Sequence, residues 1–148
     1  MRFLITGGCG FIGSNLVRFL IAQGHQICNI DALTYAGNPS LLIDLEANPV
    51  YTFHKLDIAK GDGLHELVAE SKPDAVLHLA SESHDDRSID GPDQFIQTNI
   101  VGSFHLLQAA LGYYRSLGPD QASKFRFLHV STDEVFGQLD LVAGYPKR

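Results

Sequence analysis

The sequence predicts an α/β fold, a doubly wound parallel sheet with helices on both faces, built as one domain. Three observations predict it. Apolar, partly β-branched runs alternate along the chain with segments whose apolar residues recur at helical spacing, which implies parallel strands joined by right-handed crossovers. The run Ala75-Val-Leu-His-Leu79 is apolar enough to be a strand buried on both faces, the property of a central strand in such a sheet. Glycines 7, 10 and 13 separate the first strand-like run from the first helical one, so the chain turns tightly there. The length of 148 residues, with 45% hydrophobic and 19% charged content, suits a single globular unit.

The first strand covers Arg2–Thr6. Beyond the glycines, Ile12, Leu16, Phe19 and Leu20 mark a helix that Gly24 and His25 close. A second strand, Gln26–Asp31, ends on a carboxylate. A polar loop through Thr34, Gly37, Asn38 and Pro39 leads to a short helical patch around Leu41, Leu42 and Leu45. The third strand is placed at 51–56 with Asp57 ending it, a helix at about 62–71, and the fourth strand at 75–79. Pro92 suits the first turn of a long helix, in which Phe95, Ile96, Asn99, Ile100, Leu106, Leu107 and Ala110 form a mostly apolar stripe. Packing onto the core and packing onto a second copy both explain that stripe. A fifth strand is placed at 125–131, and residues 132–148 show no convincing element. The sheet is therefore expected to be truncated after about its fifth strand, leaving 1–148 as one incomplete domain.

Composition excludes several classes. A formal net charge of −6 argues against nucleic acid as the main partner. No run approaches the roughly 20 apolar residues of a membrane span, and Met1 leads into a strand without a signal-peptide pattern. A cytoplasmic protein with no membrane partner is expected. Cys9 and Cys28 have neither metal-ligand nor CxxC spacing and read as reduced thiols. The seven histidines show no metal-ligand spacing, so no metal site is expected; His78 and His129 read as packed side chains of apolar strands.

The motif that carries chemistry is Thr6-Gly-Gly-Cys-Gly-Phe-Ile-Gly13. Gly7, Gly10 and Gly13 permit a tight turn, close approach of backbone to a pyrophosphate and close helix packing, while the helix N-terminus supplies oriented N–H donors. Asp31 ends the next strand 18 residues after Gly13, near the spacing of a carboxylate that hydrogen-bonds a ribose. Together these make a Rossmann-type dinucleotide site. Asp31 would repel a ribose 2′-phosphate and no arginine follows it, so NAD is expected over NADP.

Further segments narrow the assignment. Asp31-Ala-Leu-Thr-Tyr-Ala-Gly-Asn38, His78-Leu-Ala-Ser-Glu-Ser-His84, Asp86-Arg-Ser-Ile89 and Ser131-Thr-Asp-Glu-Val-Phe-Gly137 resemble the dTDP-glucose 4,6-dehydratase family of the extended short-chain dehydrogenase/reductase superfamily. The resemblance covers the N-terminal portion of that family and runs to about Gly137. It implies that Phe11 and Ile12 line the pyrophosphate turn, that Asp31, Ala32, Leu33 and Thr34 hold the adenosine ribose, and that Asp57 and Ile58 flank the adenine. It places Leu79, Ala80, Ser81, Glu82 and Ser83 beside the cofactor with Thr98, and Ser83 and Thr132 against the hexose of a nucleotide-sugar substrate. In the family's reaction a hydride passes from sugar C4 to NAD, water leaves across C5 and C6, and the hydride returns to C6. Asp133 matches the acid that protonates the departing hydroxyl and Glu134 the base that takes the C5 proton. Elimination beside a carbonyl needs one acid and one base in different protonation states, which neighbouring carboxyl groups at a strand end can supply.

The sequence departs from the family at several points. The family's tyrosine with a lysine one helical turn later has no match: Tyr51 and Lys55 have the spacing but fall on the third strand, and Tyr145 is separated from Lys147 by Pro146. The isolated chain is therefore expected to lack the group that starts the reaction. Asp85 adds a negative charge where the family carries an apolar residue, and the likeness ends after Gly137. Two other readings stand beside the dehydratase: an NAD-binding module or truncated product without turnover, and a nucleotide-sugar epimerase, which has no need of the Asp133–Glu134 pair. A homodimer of the family type is a further implication of the resemblance.

Overall fold

The computed structural model describes residues 1–83, 91–132 and 135. Five parallel strands form one sheet in the order β3-β2-β1-β4-β5, with β1 at Arg2–Thr6, β2 at Gln26–Asp31, β3 at Tyr51–Lys55, β4 at Ala75–His78 and β5 at Arg126–His129. This is the expected doubly wound sheet. The chain winds outward from β1 through β2 to β3, then returns to the other side of β1 for β4 and β5. The order therefore reverses between β1 and β4, and a crevice opens beyond the carboxyl ends of strands at such a point.

Helix α1 (Phe11–Ala22) and a 3-10 helix (Pro39–Leu45) cover one face of the sheet; α2 (Leu64–Ser71) packs on the other. Successive strand residues point to opposite faces, so the inner strands β1, β2 and β4 feed two cores. Leu4, Cys28, Ile30 and Val76 join Leu64, Leu67 and Val68 of α2, whereas Ile5 and Ile27 join Val17, Leu20, Leu42 and Tyr51. Arg18 ties the 3-10 helix down through Asp44 and the Leu41 carbonyl.

The long helix differs from the sequence reading. It begins as α3 (Pro92–Phe95), passes through a π-helical stretch at Ile96–Gly102, and continues as α4 (Ser103–Ser116). The wider π turn shifts the phase of the side chains that follow it. The apolar stripe consequently divides: Leu106 and Ala110 are buried against α2 and the sheet, while Ile96, Ile100 and Leu107 face outward. A short helix, α5 (Pro119–Ala122), precedes β5 and lacks an apolar period that would mark it in sequence. Strands β3, β4 and β5 are shorter than their apolar runs, because ladder pairing ends where the loops turn away. His78 is buried, but His129 is exposed and only stacks on it at 4.7 Å between ring centroids. The packed reading therefore holds for His78 and fails for His129, whose strand β5 has one neighbour among the described residues. Both cysteines are free thiols. Among the described residues no helix is long and apolar enough to cross a membrane, and no group of three or more His, Cys, Asp or Glu is arranged to hold a metal ion.

Candidate functional site

The turn after β1 is shaped by what surrounds it. Gly7 adopts φ +74°, and a Cβ there would lie 2.8 Å from the Ala80 amide nitrogen, so the turn and the chain leaving β4 touch through backbone alone. Gly13 sits in the first turn of α1 where a Cβ would lie 2.7 Å from Gly8 Cα. The helix can approach the turn only without a side chain at that point. Gly10 N donates to Gly7 O at 3.1 Å and Ser14 N to Gly10 O at 2.9 Å. No side chain caps α1 and no acidic residue lies in its first turn, which leaves N–H donors and the positive end of the helix dipole directed at the crevice.

Asp31 is buried, at 8% exposure, and both its oxygens are engaged: Oδ2 accepts from Cys9 N at 2.9 Å and Oδ1 from Leu33 N at 2.8 Å. The carboxylate is thereby held between the glycine turn and the next loop. Each oxygen retains capacity for another donor, such as one hydroxyl of a diol. Leu33 takes up φ 55°, a conformation uncommon for a residue with a branched side chain, and its bond to Asp31 supports it there. Asp57 closes a small turn by accepting from Ala59 N at 3.0 Å, which presents Ile58 under the long helix.

These segments line one open crevice at the carboxyl ends of the strands. Gly7 and Gly10 line it from the turn after β1; Asp31, Ala32 and Thr34 from β2 and its loop; Asp57 and Ile58 from the loop after β3. Leu79, Ala80, Ser81 and Glu82 line it beyond β4, and Thr98 from the π-helical stretch. Five further residues line the wall: Ala36 and Gly37 belong to the family-like segment 31–38 but carry no polar side chain to single them out, and Ile30, Leu56 and Gln94 lie outside every motif. Phe11 and Ile12 stand at the turn but point outward, at 84% and 64% exposure, and are not among the residues that line the crevice. Gly13 and Leu33 lie outside the crevice lining as well. Ser83 and Thr132 are exposed. Asp133 and Glu134 lie outside the described residues, as does the Asp86-Arg-Ser-Ile89 segment. Tyr51 and Lys55 both belong to β3, with the Tyr51 hydroxyl accepting from Asn29 Nδ2 at 2.9 Å in the core, so they form no helical pair.

In sequence Asn99 falls within the apolar stripe of the long helix. Its side chain instead grips the backbone after β4: Oδ1 accepts from Glu82 N at 2.8 Å and Nδ2 donates to Glu82 O at 2.9 Å. A polar residue in an apolar helical face was the available clue. Behind the turn, burial first and the Asp31 charge second push the Cys9 thiol up to about 11, so it remains protonated and unreactive. Burial, reinforced by His129, lowers His78 to about 4 and keeps its imidazole neutral.

A glycine turn with free helix-end donors, a clamped carboxylate and apolar walls suits a ligand that carries phosphate, a diol and a flat ring. The family model described as GDP-mannose 4,6 dehydratase matches residues 4–144. The chain belongs to that family. It is 52% identical over 137 residues to the dTDP-glucose 4,6-dehydratase of Xanthomonas campestris pv. campestris, taking in 93% of this chain and 39% of that enzyme. A solved dTDP-glucose 4,6-dehydratase of Streptomyces venezuelae with NAD bound superposes with a TM-score of 0.80 at 38% identity, over 99% of this chain and 45% of that one. A UDP-glucose-4-epimerase of Stenotrophomonas maltophila, also with NAD bound, reaches 0.77 at 30% identity, over 97% and 40%. The chain spans about two-fifths of the length of the curated relatives it matches. These matches agree with the dehydratase resemblance carried by the motifs.

Proposed function

We propose that this chain forms the NAD-binding part of a nucleotide-sugar 4,6-dehydratase that acts on dTDP-glucose. The observation that carries the reading is Asp31: a buried carboxylate at the end of β2, held by Cys9 N and Leu33 N with lone pairs still available, on the wall of the crevice at the strand-order reversal. The residues present fit the dinucleotide. Gly7 and Gly13 leave room where any side chain would obstruct a pyrophosphate turn, and the uncapped start of α1 offers N–H donors to its oxygens. Asp31 would accept from the adenosine ribose with Ala32, Leu33 and Thr34 around it, Asp57 and Ile58 would flank the adenine, and Leu79 to Ser83 with Thr98 would line the remainder.

NAD, when bound, supplies a reversible hydride acceptor. The chain's own residues would manage the protons. Glu134 would take the C5 proton of the oxidised sugar, Asp133 would protonate the departing C6 hydroxyl, and Ser83 and Thr132 would hold the hexose. That pair favours dehydration over the epimerisation carried out by structural neighbours of similar fold. Among the described residues no helix carries a tyrosine with a lysine one turn later, so we expect the chain alone to bind NAD without turning over dTDP-glucose.

The reading is tested by titrating NAD and NADP into the chain and into Asp31→Arg. The unaltered chain should prefer NAD, and the variant should shift toward NADP, since a guanidinium replaces a carboxylate beside the 2′ position. Equal preference before and after the change would refute the role given to Asp31.

A further inference from the structure

Three buried polar side chains join the two strands flanking the crevice to the helix beside it. Thr6 Oγ1 lies 2.7 Å from His78 Nδ1, and His78 Nε2 lies 2.8 Å from Ser103 Oγ. Thr6 closes β1, His78 closes β4, and the two are register partners; Ser103 opens α4 directly after the π-helical stretch. All three are buried next to an apolar core, where polar groups persist only if paired.

The proton positions follow from the donors. Ala80 N donates to Thr6 Oγ1 at 3.3 Å. The hydroxyl hydrogen of Thr6 has one acceptor within reach among the described residues, His78 Nδ1. With Nδ1 accepting from Thr6, the imidazole hydrogen would sit on Nε2 and be donated to Ser103 Oγ. Asn99, which grips the Glu82 backbone with both ends of its amide, precedes Ser103 by four residues, about one helical turn. Ser103 thus follows directly on the π-helical stretch that carries Thr98 and Asn99.

We propose that His78 is a positioning residue for the cofactor: through Ser103 it holds the π-helical stretch at the depth where Thr98 lines the crevice and Asn99 fixes its far wall at Glu82. This rests on the reading that the crevice takes NAD. The helix is latched to the sheet by a directed polar chain, whereas apolar packing at the same place would leave its depth free to vary with side-chain repacking.

The test titrates NAD into the unaltered chain, Ser103→Ala and Ser103→Thr, with folding followed by far-ultraviolet circular dichroism. Removing the hydroxyl leaves the Nε2 hydrogen unpaired, and NAD binding should weaken about tenfold, equivalent to ~1.4 kcal/mol, without loss of helix signal. Threonine restores an acceptor, and affinity should return to within about twofold of the original. The 15N spectrum of the unaltered chain should show His78 with its hydrogen on Nε2. Undiminished affinity in a folded Ser103→Ala, no recovery in a folded Ser103→Thr, or a hydrogen on Nδ1 would each overturn the proposal. If Ser103→Ala does not fold, the pair His78→Gln, which keeps a donor near Nε2, and His78→Leu, which does not, makes the same comparison. Failure of the unaltered chain to bind NAD would overturn the cofactor reading and this proposal together, whereas the variant results bear on the latch alone.

Discussion

Replacing Gly7 by alanine should be far more damaging than replacing Gly24, although both glycines have a left-handed backbone, with φ of +74° and +79°. The shared cost is that of an L-residue in that conformation, about 1–2 kcal/mol, partly offset by a less flexible unfolded chain. At Gly24, just beyond the end of α1, an added Cβ meets nothing within 4 Å, so that net cost of about 1 kcal/mol stands alone. At Gly7 the Cβ would lie 2.8 Å from Ala80 N, 2.9 Å from Ala80 Cα and 3.0 Å from the Leu79 carbonyl carbon. All of these are backbone atoms in paired segments, because Leu79 N donates to Thr6 O and Gly7 N to Ile30 O. Forcing a methyl group into packed backbone adds about 1–3 kcal/mol, for a total near 3 kcal/mol. In a domain of this size that corresponds to a fall in Tm of about 8 °C for Gly7→Ala against about 3 °C for Gly24→Ala, read by thermal unfolding under circular dichroism. NAD titration of the same samples should show at least a tenfold loss for Gly7→Ala and none for Gly24→Ala, since only the first moves the crevice walls apart. Equal falls in Tm, or an unaltered NAD affinity in Gly7→Ala, would refute the claim that the turn and the chain after β4 are in enforced contact.

Stability should also depend on His78. Its pKa is lowered from 6.5 to about 4, so the unfolded chain binds a proton that the folded chain refuses. The contribution is complete above about pH 6.5 and shrinks as pH falls toward 4, with about 2 kcal/mol lost between pH 7 and pH 5. Denaturant melts across that range should show the loss in the unaltered chain and not in His78→Gln; a loss equal in both would assign it to other groups. For the elimination step, Glu134→Gln in an intact enzyme carrying this segment should abolish solvent-deuterium exchange at the sugar C5, and retained exchange would remove Glu134 as the base. The 148-residue chain mixed with NAD and dTDP-glucose should yield no 4-keto-6-deoxy sugar, and product at an enzyme-like rate would show that the proton of the C4 hydroxyl has another acceptor.

Much of the fold was legible because local patterns and global packing agree. The inner strands alternate side chains between two cores, so Leu4 and Ile5, or Ile27 and Cys28, have to be apolar together, and the run reads as a strand buried on both sides. The glycine spacing and the carboxylate ending β2 were legible for a related reason: close backbone approach and diol recognition each restrict the residue type at one position, whatever lies elsewhere in the chain. Twelve of the residues named for the cofactor do line one crevice.

What the tertiary structure decided concerns contacts between segments far apart in sequence. Gly102, which ends the π-helical stretch, packs so closely on Ile58, more than forty positions earlier, that an added Cβ would lie 2.7 Å from Ile58 Cγ1. The engagement of Asp31 by Cys9 N, the grip of Asn99 on Glu82 and the Thr6–His78–Ser103 chain are equally invisible in one dimension. Asn, Thr, His and Ser carry polar groups that satisfy themselves locally in a loop or across a core with equal ease. The sequence by itself determined which backbone positions need glycine and where a carboxylate ends a strand; only folding selected the partners of the remaining polar groups, because a hydrogen bond is specified by distance and direction rather than by residue type.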